Sequence, residues 1–109
     1  MRAFDVFVNG KKICRAGIAG YSVLTTIVSS LIVDPESPTG KAMGDEYPEP
    51  FLDLQIGGLD VRTNQHLHWP RLDLKVGDEV TVKIVEADDG IDEPTEYVMP
   101  KEISQQTED

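Results

Sequence analysis

Apolar and polar residues alternate from residue 4 onwards, through the stretch FDVFVNGKKICRAG. Two alternating runs joined by Asn9-Gly10 are typical of a β-hairpin, because a type I′ turn requires a positive φ at both central residues. A two-residue turn predicts the cross-strand pairs Val8 with Lys11, Val6 with Ile13, and Phe4 with Arg15. The predicted core face then holds Phe4, Val6, Val8 and Ile13. The opposite face holds Asp5, Phe7, Lys12 and Cys14.

The next apolar stretch, YSVLTTIVSSLIV, allows two interpretations. Its apolar residues follow helical spacing, with serines and threonines opposite. However, Val, Ile and Thr dominate, and Ala, Glu, Lys and Arg are absent, so helix propensity is poor throughout. We therefore favour a strand over residues 22–33. A helix there would instead give the element order of a β-grasp-like α+β domain.

Residues 34–50, DPESPTGKAMGDEYPEP, interrupt the pattern with four prolines and two glycines. This composition predicts a flexible loop without any regular element. A loop of this length in a compact domain is usually a functional flap or an insertion.

Alternation resumes in FLDLQIGGLD, where Leu52, Leu54 and Ile56 share one side and Gly57-Gly58 indicates a bulge or a close backbone approach. A turn at RTNQ leads to a short returning strand, HLHW, which Pro70 ends. After a turn at Gly77-Asp78, the last strand places Val80, Val82 and Ile84 inward. Beyond Ala87 the chain reads as a tail.

These elements predict one mostly β domain over residues 1–91, a small antiparallel sandwich or partly open barrel of five to six strands. Residues 92–109 are predicted to be an acidic tail whose deletion leaves the β body folded. The alternative is that Tyr97, Val98 and Met99 dock as a short edge strand.

Charge is distributed unevenly along the chain, whose formal net charge is −10. Residues 86–109 hold nine acids and one base, and residues 34–50 hold five acids and one base, whereas the remainder holds six acids and eight bases. Acidic loops and tails usually serve solubility, and this balance disfavours direct binding of a nucleic acid backbone. A DNA-mimic inhibitor is also disfavoured, because the acids lie mainly in irregular segments.

The chain has one cysteine and no apolar run near the roughly 20 residues of a membrane helix. We therefore predict a cytoplasmic protein without a membrane partner. Cys14 lies mid-hairpin without the helix N-terminus or fixed cationic partner that lowers the pKa of a thiol, so no catalytic residue is assigned.

Both histidines and the only tryptophan lie in NQHLHWP, residues 64–70. On a strand, His66 and His68 share one face, while Leu67 and Trp69 turn towards the core. A His-x-His pair occurs in cupin barrels, but there a glutamate ligand follows at short range, and here the only nearby acid is Asp73. A metal site would need Asp60, Asp73 or Cys14, so no metal and no cofactor are predicted.

A candidate ligand site remains around the 60–71 hairpin. Four side chains there suit a small anionic ligand, beside the glycine pair Gly57 and Gly58. They are Arg62, His66, His68 and Arg71.

Two blocks of the chain, VFVNGKKICRAGI with VLTTIV and IGGLDVRTNQHLHW with LKVGDEVTVKIVEAD, resemble small bacterial or phage proteins of about this length. The resemblance brings no activity. Our leading hypothesis is a non-enzymatic binding protein, such as a mobile-element or phage-type inhibitor of a host protein, using the 60–71 hairpin and the 34–50 loop. Alternatives are sequestration of a small anionic ligand such as a signalling nucleotide, and a cupin-like metal-dependent enzyme. A homo-oligomer is a further open expectation.

Overall fold

The structure, a computed structural model, describes residues 1–44 and 49–98. Eight strands and one short helix follow in the order β1 Arg2–Val8, β2 Lys11–Gly17, β3 Ser22–Leu31, α1 Pro38–Met43, β4 Phe51–Asp60, β5 Gln65–His68, β6 Leu72–Asp73, β7 Val80–Glu86 and β8 Glu96–Val98. The predicted mostly β antiparallel fold is confirmed, and residues 22–31 form a strand rather than a helix. The short strands β6 and β8 exceed the predicted five to six.

The strands form two antiparallel sheets. The three-stranded sheet has the order β2–β1–β7, and the five-stranded sheet has the order β3–β4–β5–β8, with β6 also paired to β4. Both sheets supply the hydrophobic core, which holds Val6, Cys14 and Ala16 from one sheet and Leu54, Ile56, Leu67 and Trp69 from β4, β5 and the residue after β5. The sheets therefore pack as the layers of a sandwich. Within the described residues, no helix is both long and apolar enough to cross a membrane.

The β1–β2 hairpin has the predicted turn but a different register. Asn9 and Gly10 have φ values of 53° and 82°, as a type I′ turn requires. Beyond Phe7, however, a register shift places Cys14 rather than Ile13 opposite Val6. The predicted pairs for Val6 and Phe4 are therefore wrong. Because of this bulge, Cys14 lies in the core beside Val6 instead of on the opposite face.

Gly10→Val is expected to destabilise the fold by about 1 kcal/mol or more, because a β-branched residue resists the positive φ of this turn. No atom lies within 4 Å of a Cβ built on Gly10, so the cost is conformational rather than steric. Chemical denaturation measures it. An unchanged midpoint would contradict the turn assignment.

Strands β3 and β4 pair over ten consecutive residues without a register shift. The predicted bulge at Gly57-Gly58 is therefore wrong, whereas the predicted close approach is correct. A Cβ on Gly58 would lie 2.8 Å from Ile18 Cδ1 and would collide with the carbonyl oxygen of Val23. Glycine at this position lets the centre of the five-stranded sheet pack against the core.

Helix α1 lies inside residues 34–50, where the sequence predicted no regular element, and that prediction is wrong. The Ser37 hydroxyl caps the helix by accepting a hydrogen bond from the Gly40 amide at 3.0 Å. Pro38 occupies the first turn, where its missing N–H costs nothing. The four prolines of this segment exclude a long regular element, but one of them, Pro38, suits the start of a short helix. Residues 45–48 lie outside the described residues.

Strand β7 departs from the predicted inward facing of Val82 and Ile84. Both side chains point to the core face of the three-stranded sheet, since Val82 pairs with Val6 and Ile84 with Phe4. They are nevertheless 39% and 70% exposed. β7 is an edge strand. The exposure of both side chains indicates that the opposite sheet does not cover this part of it. Alternation thus predicted the face correctly and the burial wrongly.

The chain after Ala87 continues to contact the body. Asp92 exchanges hydrogen bonds with Arg15, and its carbonyl oxygen accepts one from Trp69 Nε1 at 2.8 Å. Strand β8 then pairs with β5, with Tyr97 opposite Leu67. The sequence offered an edge strand as the alternative to a solvated tail, and the structure shows that strand at Tyr97 and Val98. Met99 lies outside the described residues.

A partly buried ion pair joins β1 to β2. Arg15 donates two hydrogen bonds to the Asp5 carboxylate, at 2.7 and 2.9 Å, and Lys12 lies 3.5 Å away. The hydrogen bond from Arg15, aided by the positive charges of Arg15 and Lys12, holds the pKa of Asp5 below its usual value of 3.8 despite burial.

Because that pKa is lowered on folding, the pair stabilises the native state above about pH 4, and this contribution is lost as pH falls through the lower native pKa. We expect Asp5→Asn to flatten the dependence of the unfolding free energy on pH between about pH 5 and pH 2. The exposed substitution Asp73→Asn serves as the control. Identical pH profiles for wild type and Asp5→Asn would contradict the assignment.

Candidate functional site

The structure brings four of the six candidate residues together on the five-stranded sheet. Gly57 lies opposite His68 and Gly58 lies opposite Leu67 in the β4–β5 ladder. As predicted, His66 and His68 face solvent, while Leu67 and Trp69 are buried. We call the histidine-bearing face, which points away from the core, the outer face of this sheet.

A groove of about 250 Å³ crosses the outer face at Gly57. We call it the Gly57 groove. Val23 and Ile27 of β3 line one side, His66 and His68 of β5 line the other, and Leu59 lies at one end. Three adjacent strands therefore supply it: β3, β4 and β5.

Gly57 keeps the groove open because it has no side chain. A Cβ there would lie 2.9 Å from the Leu67 carbonyl oxygen and 3.3 Å from His68 Nδ1. The Thr25 hydroxyl donates a 3.2 Å hydrogen bond to the Gly57 carbonyl oxygen and helps to fix the floor. The glycine noted in the sequence for backbone approach is thus also the floor of a surface depression.

The two candidate arginines lie outside the groove, and each pairs with an aspartate. Arg62 donates two 3.3 Å hydrogen bonds to Asp60, and this contact lowers the pKa of Asp60. Arg71 Nε donates a 2.7 Å hydrogen bond to Asp53, whose side chain is fully buried. Releasing Arg71 would leave a buried carboxylate uncompensated, which is costly. The four predicted anion-binding side chains are therefore not assembled into one site.

The described ranges, 1–44 and 49–98, contain no group of three histidine, cysteine or acidic side chains placed to share a metal ion. His66 and His68 do share a face, as a two-ligand site would need. Cys14 is buried in the core, and burial together with Asp92 and Asp5 raises the pKa of its thiol to about 11. The thiol is therefore protonated at neutral pH and is a poor nucleophile and ligand.

A second cavity, of about 520 Å³, opens between the two sheets at one end of the sandwich. Its lining includes the apolar side chains of Phe4, Ile18 and Leu24 and the charged side chains of Arg2 and Glu86. Sequence patterning could not reveal it, because it depends on how far apart the two layers lie.

The apolar side of the Gly57 groove was also missed from the sequence. Val23 and Ile27 belong to a strand whose two faces look alike in composition, and only its pairing with β4 brings them beside Gly57. The sequence signal that could have indicated this apolar side is that Val23, Thr25 and Ile27 occupy alternate positions and so share one face of the strand.

Comparison of the chain with protein-family models, with curated proteins and with solved structures found no match. The Gly57 groove and the pairing of both candidate arginines are therefore the features of this chain that bear on its function.

Proposed function

We propose that this chain is a non-enzymatic binding protein that engages a protein partner through the Gly57 groove. The observation that carries the proposal is the exposure of apolar side chains beside a depression on a regular sheet. Val23 and Ile27 are 53% and 47% exposed, and both line the groove. Exposed apolar surface around a pocket and bordered by polar groups is typical of protein interaction sites.

The size of the groove favours one inserted side chain over a nucleotide. Pockets for drug-sized ligands usually enclose about 300–1,000 Å³. The Gly57 groove, at about 250 Å³, is smaller than this. A leucine, methionine or aromatic side chain of a partner fits such a depression, and the two imidazoles can hydrogen-bond to polar groups around it.

The pairing of both arginines gives the anionic-ligand alternative less support. Arg62 and Arg71 are the only arginine or lysine side chains on the 60–71 hairpin, and Asp60 and Asp53 already neutralise them. An anion would have to compete with these carboxylates or rely on the histidines alone. The raised pKa of Cys14 likewise supports a binding role over thiol catalysis.

Affinity capture from the organism that encodes the chain tests the proposal with matched variants. The bait proteins are wild type, Leu59→Lys in the groove, and Ile84→Lys on the three-stranded sheet. A partner recovered by wild type and Ile84→Lys should bind Leu59→Lys at least about tenfold more weakly once purified, because the new lysine would be desolvated without a partner.

Equal affinity of the partner for all three proteins would contradict the proposal. Native mass spectrometry of the purified chain supplies the second arm. A stoichiometric small anion carried through purification, and lost in His66→Ala/His68→Ala, would replace the protein-partner proposal with ligand sequestration.

A further inference from the structure

Within the described residues, strand β3 has no partner on the side away from β4, and this edge has unusual properties. It stands at one end of the five-stranded sheet and is ten residues long. It contains no proline, and its ladder with β4 runs without a bulge. Such an edge presents a regular row of backbone donors and acceptors, which is a template for another strand.

The edge also lacks charge, although the chain is strongly acidic. Residues 16–33 contain no charged side chain in a protein of net charge −10. Natural edge strands are usually protected by charges, prolines or bulges. Both edge strands of the other sheet follow that rule. Strand β2 carries Lys11, Lys12 and Arg15, and strand β7 carries Lys83 and Glu86. Strand β3 therefore lacks the charges, prolines and bulges that keep an edge strand from pairing with another chain.

We infer that two copies of this chain pair antiparallel through β3, joining their five-stranded sheets into one continuous sheet. Two chains of net charge −10 repel each other wherever their acidic segments meet. Self-pairing through β3 brings a charge-free strand against its own copy, so no like charges become opposed. A two-fold axis also makes the contact closed and self-limiting.

A two-fold axis perpendicular to the sheet determines which pairings are allowed. Outer-face residues must meet outer-face residues, so each pair joins two odd or two even positions. Centring the axis on Thr26 pairs almost the whole strand. On the inner face, Leu24 then lies opposite the partner's Val28, and Val28 is 53% exposed in the single chain.

Thr26 supplies an independent reason for this register. Its hydroxyl oxygen is buried and has no hydrogen-bond partner within the described residues. At the axis, Thr26 meets the partner's Thr26, and a cross-strand threonine pair can form a hydrogen bond after rotation about χ1. The alternative register centred on Ile27 leaves this hydroxyl unpaired.

Sedimentation equilibrium over a concentration series tests the dimer. Wild type should show the mass of two chains at high concentration and dissociate on dilution. Val28→Lys should raise the dimer dissociation constant by at least about tenfold, because it places a charge in the pairing edge. Val82→Lys makes the same substitution on the inner face of β7 and should change the constant by less than about threefold.

Symmetric crosslinking tests the register. Under oxidising conditions Thr26→Cys should form a disulfide with its own copy, whereas Ser30→Cys should not, because Ser30 lies far from the axis.

Wild type that stays monomeric at every concentration would overturn the inference. Dissociation by Val82→Lys but not by Val28→Lys would overturn it too, in favour of a β7 contact. Since Leu59 lies on β4 rather than at this edge, Leu59→Lys should still dimerise, which separates this test from that of the groove.

Discussion

Trp69→Ala is expected to lower the unfolding free energy by about 3–5 kcal/mol, the range for emptying a buried aromatic site. Trp69 is 2% exposed and belongs to the core cluster that joins the two sheets. Its indole N–H also donates to the Asp92 carbonyl oxygen, and the substitution removes that link. Urea denaturation, followed by circular dichroism because the only tryptophan is lost, measures the effect.

His66→Ala/His68→Ala is the matched comparison for Trp69→Ala. Both histidines lie on the same short strand but face solvent, so the double substitution should change stability by less than about 1 kcal/mol. Near-wild-type stability of Trp69→Ala would contradict the facing of β5. A large loss in the histidine variant would show that the imidazoles have a structural role.

Deletion of residues 92–109 should destabilise the protein by about 2–3 kcal/mol or more, the opposite of the outcome that composition alone predicts. The deletion leaves the buried Trp69 indole N–H without its acceptor, which by itself costs about 1–3 kcal/mol. It also removes the Asp92 contacts with Arg15 and the whole of β8. Thermal and urea unfolding of the truncated chain measure the loss.

Deletion of residues 99–109 alone is the control for this truncation. It retains Asp92 and β8, so all the contacts named above remain, and stability should stay near that of the full chain. If both truncations unfolded at the same denaturant concentration as the full chain, the docking of residues 92–98 would be contradicted.

Period-two alternation predicted correctly which way side chains point along several strands. It placed Leu67 and Trp69 inward and the histidines outward, because successive residues on a strand must face opposite sides. It also put Val82 and Ile84 on the core face. It could not predict their exposure, since coverage of an edge strand depends on how far the opposite sheet extends.

Irregularities within elements were not predictable from alternation. The register shift between Val6 and Phe7 moved Cys14 into the core, and nothing in the residue types marks the position of that bulge. The helix over Pro38–Met43 was not predicted, because four prolines dominate the composition of residues 34–50. The Ser37-Pro38 signal for a helix start was nevertheless present. Strand β8 was predicted only as an alternative, because its acidic neighbours favoured a solvated tail.

The sequence predicted one part of the candidate site and missed the other. The glycine pair and the two histidines lie near each other in sequence, and one β4–β5 hairpin brings them together. The apolar side of the groove comes from β3, about 30 residues away, and only a long-range pairing reveals it. The arginines were expected to be available because the sequence does not show which acids will pair with them.

The groove and the dimer edge are compatible. Pairing through β3 extends the sheet in its own plane and leaves the outer face open. Because the two-fold axis keeps outer faces together, both Gly57 grooves would lie on the same side of the joined sheet. A dimer would therefore present two equivalent binding sites to one partner assembly, and linked sites of this kind increase avidity without new contacts.

Mapping the bound surface by two-dimensional NMR is the most direct measurement of the central claim, that the Gly57 groove binds a protein partner. The isotope-labelled chain is titrated with the captured and purified partner, and amide signals are followed residue by residue. We expect the largest changes at Val23, Gly57, Leu59, His66 and His68, with β7 signals nearly unchanged. Changes centred on β7 or on residues 34–44, with the groove signals unaffected, would contradict the claim.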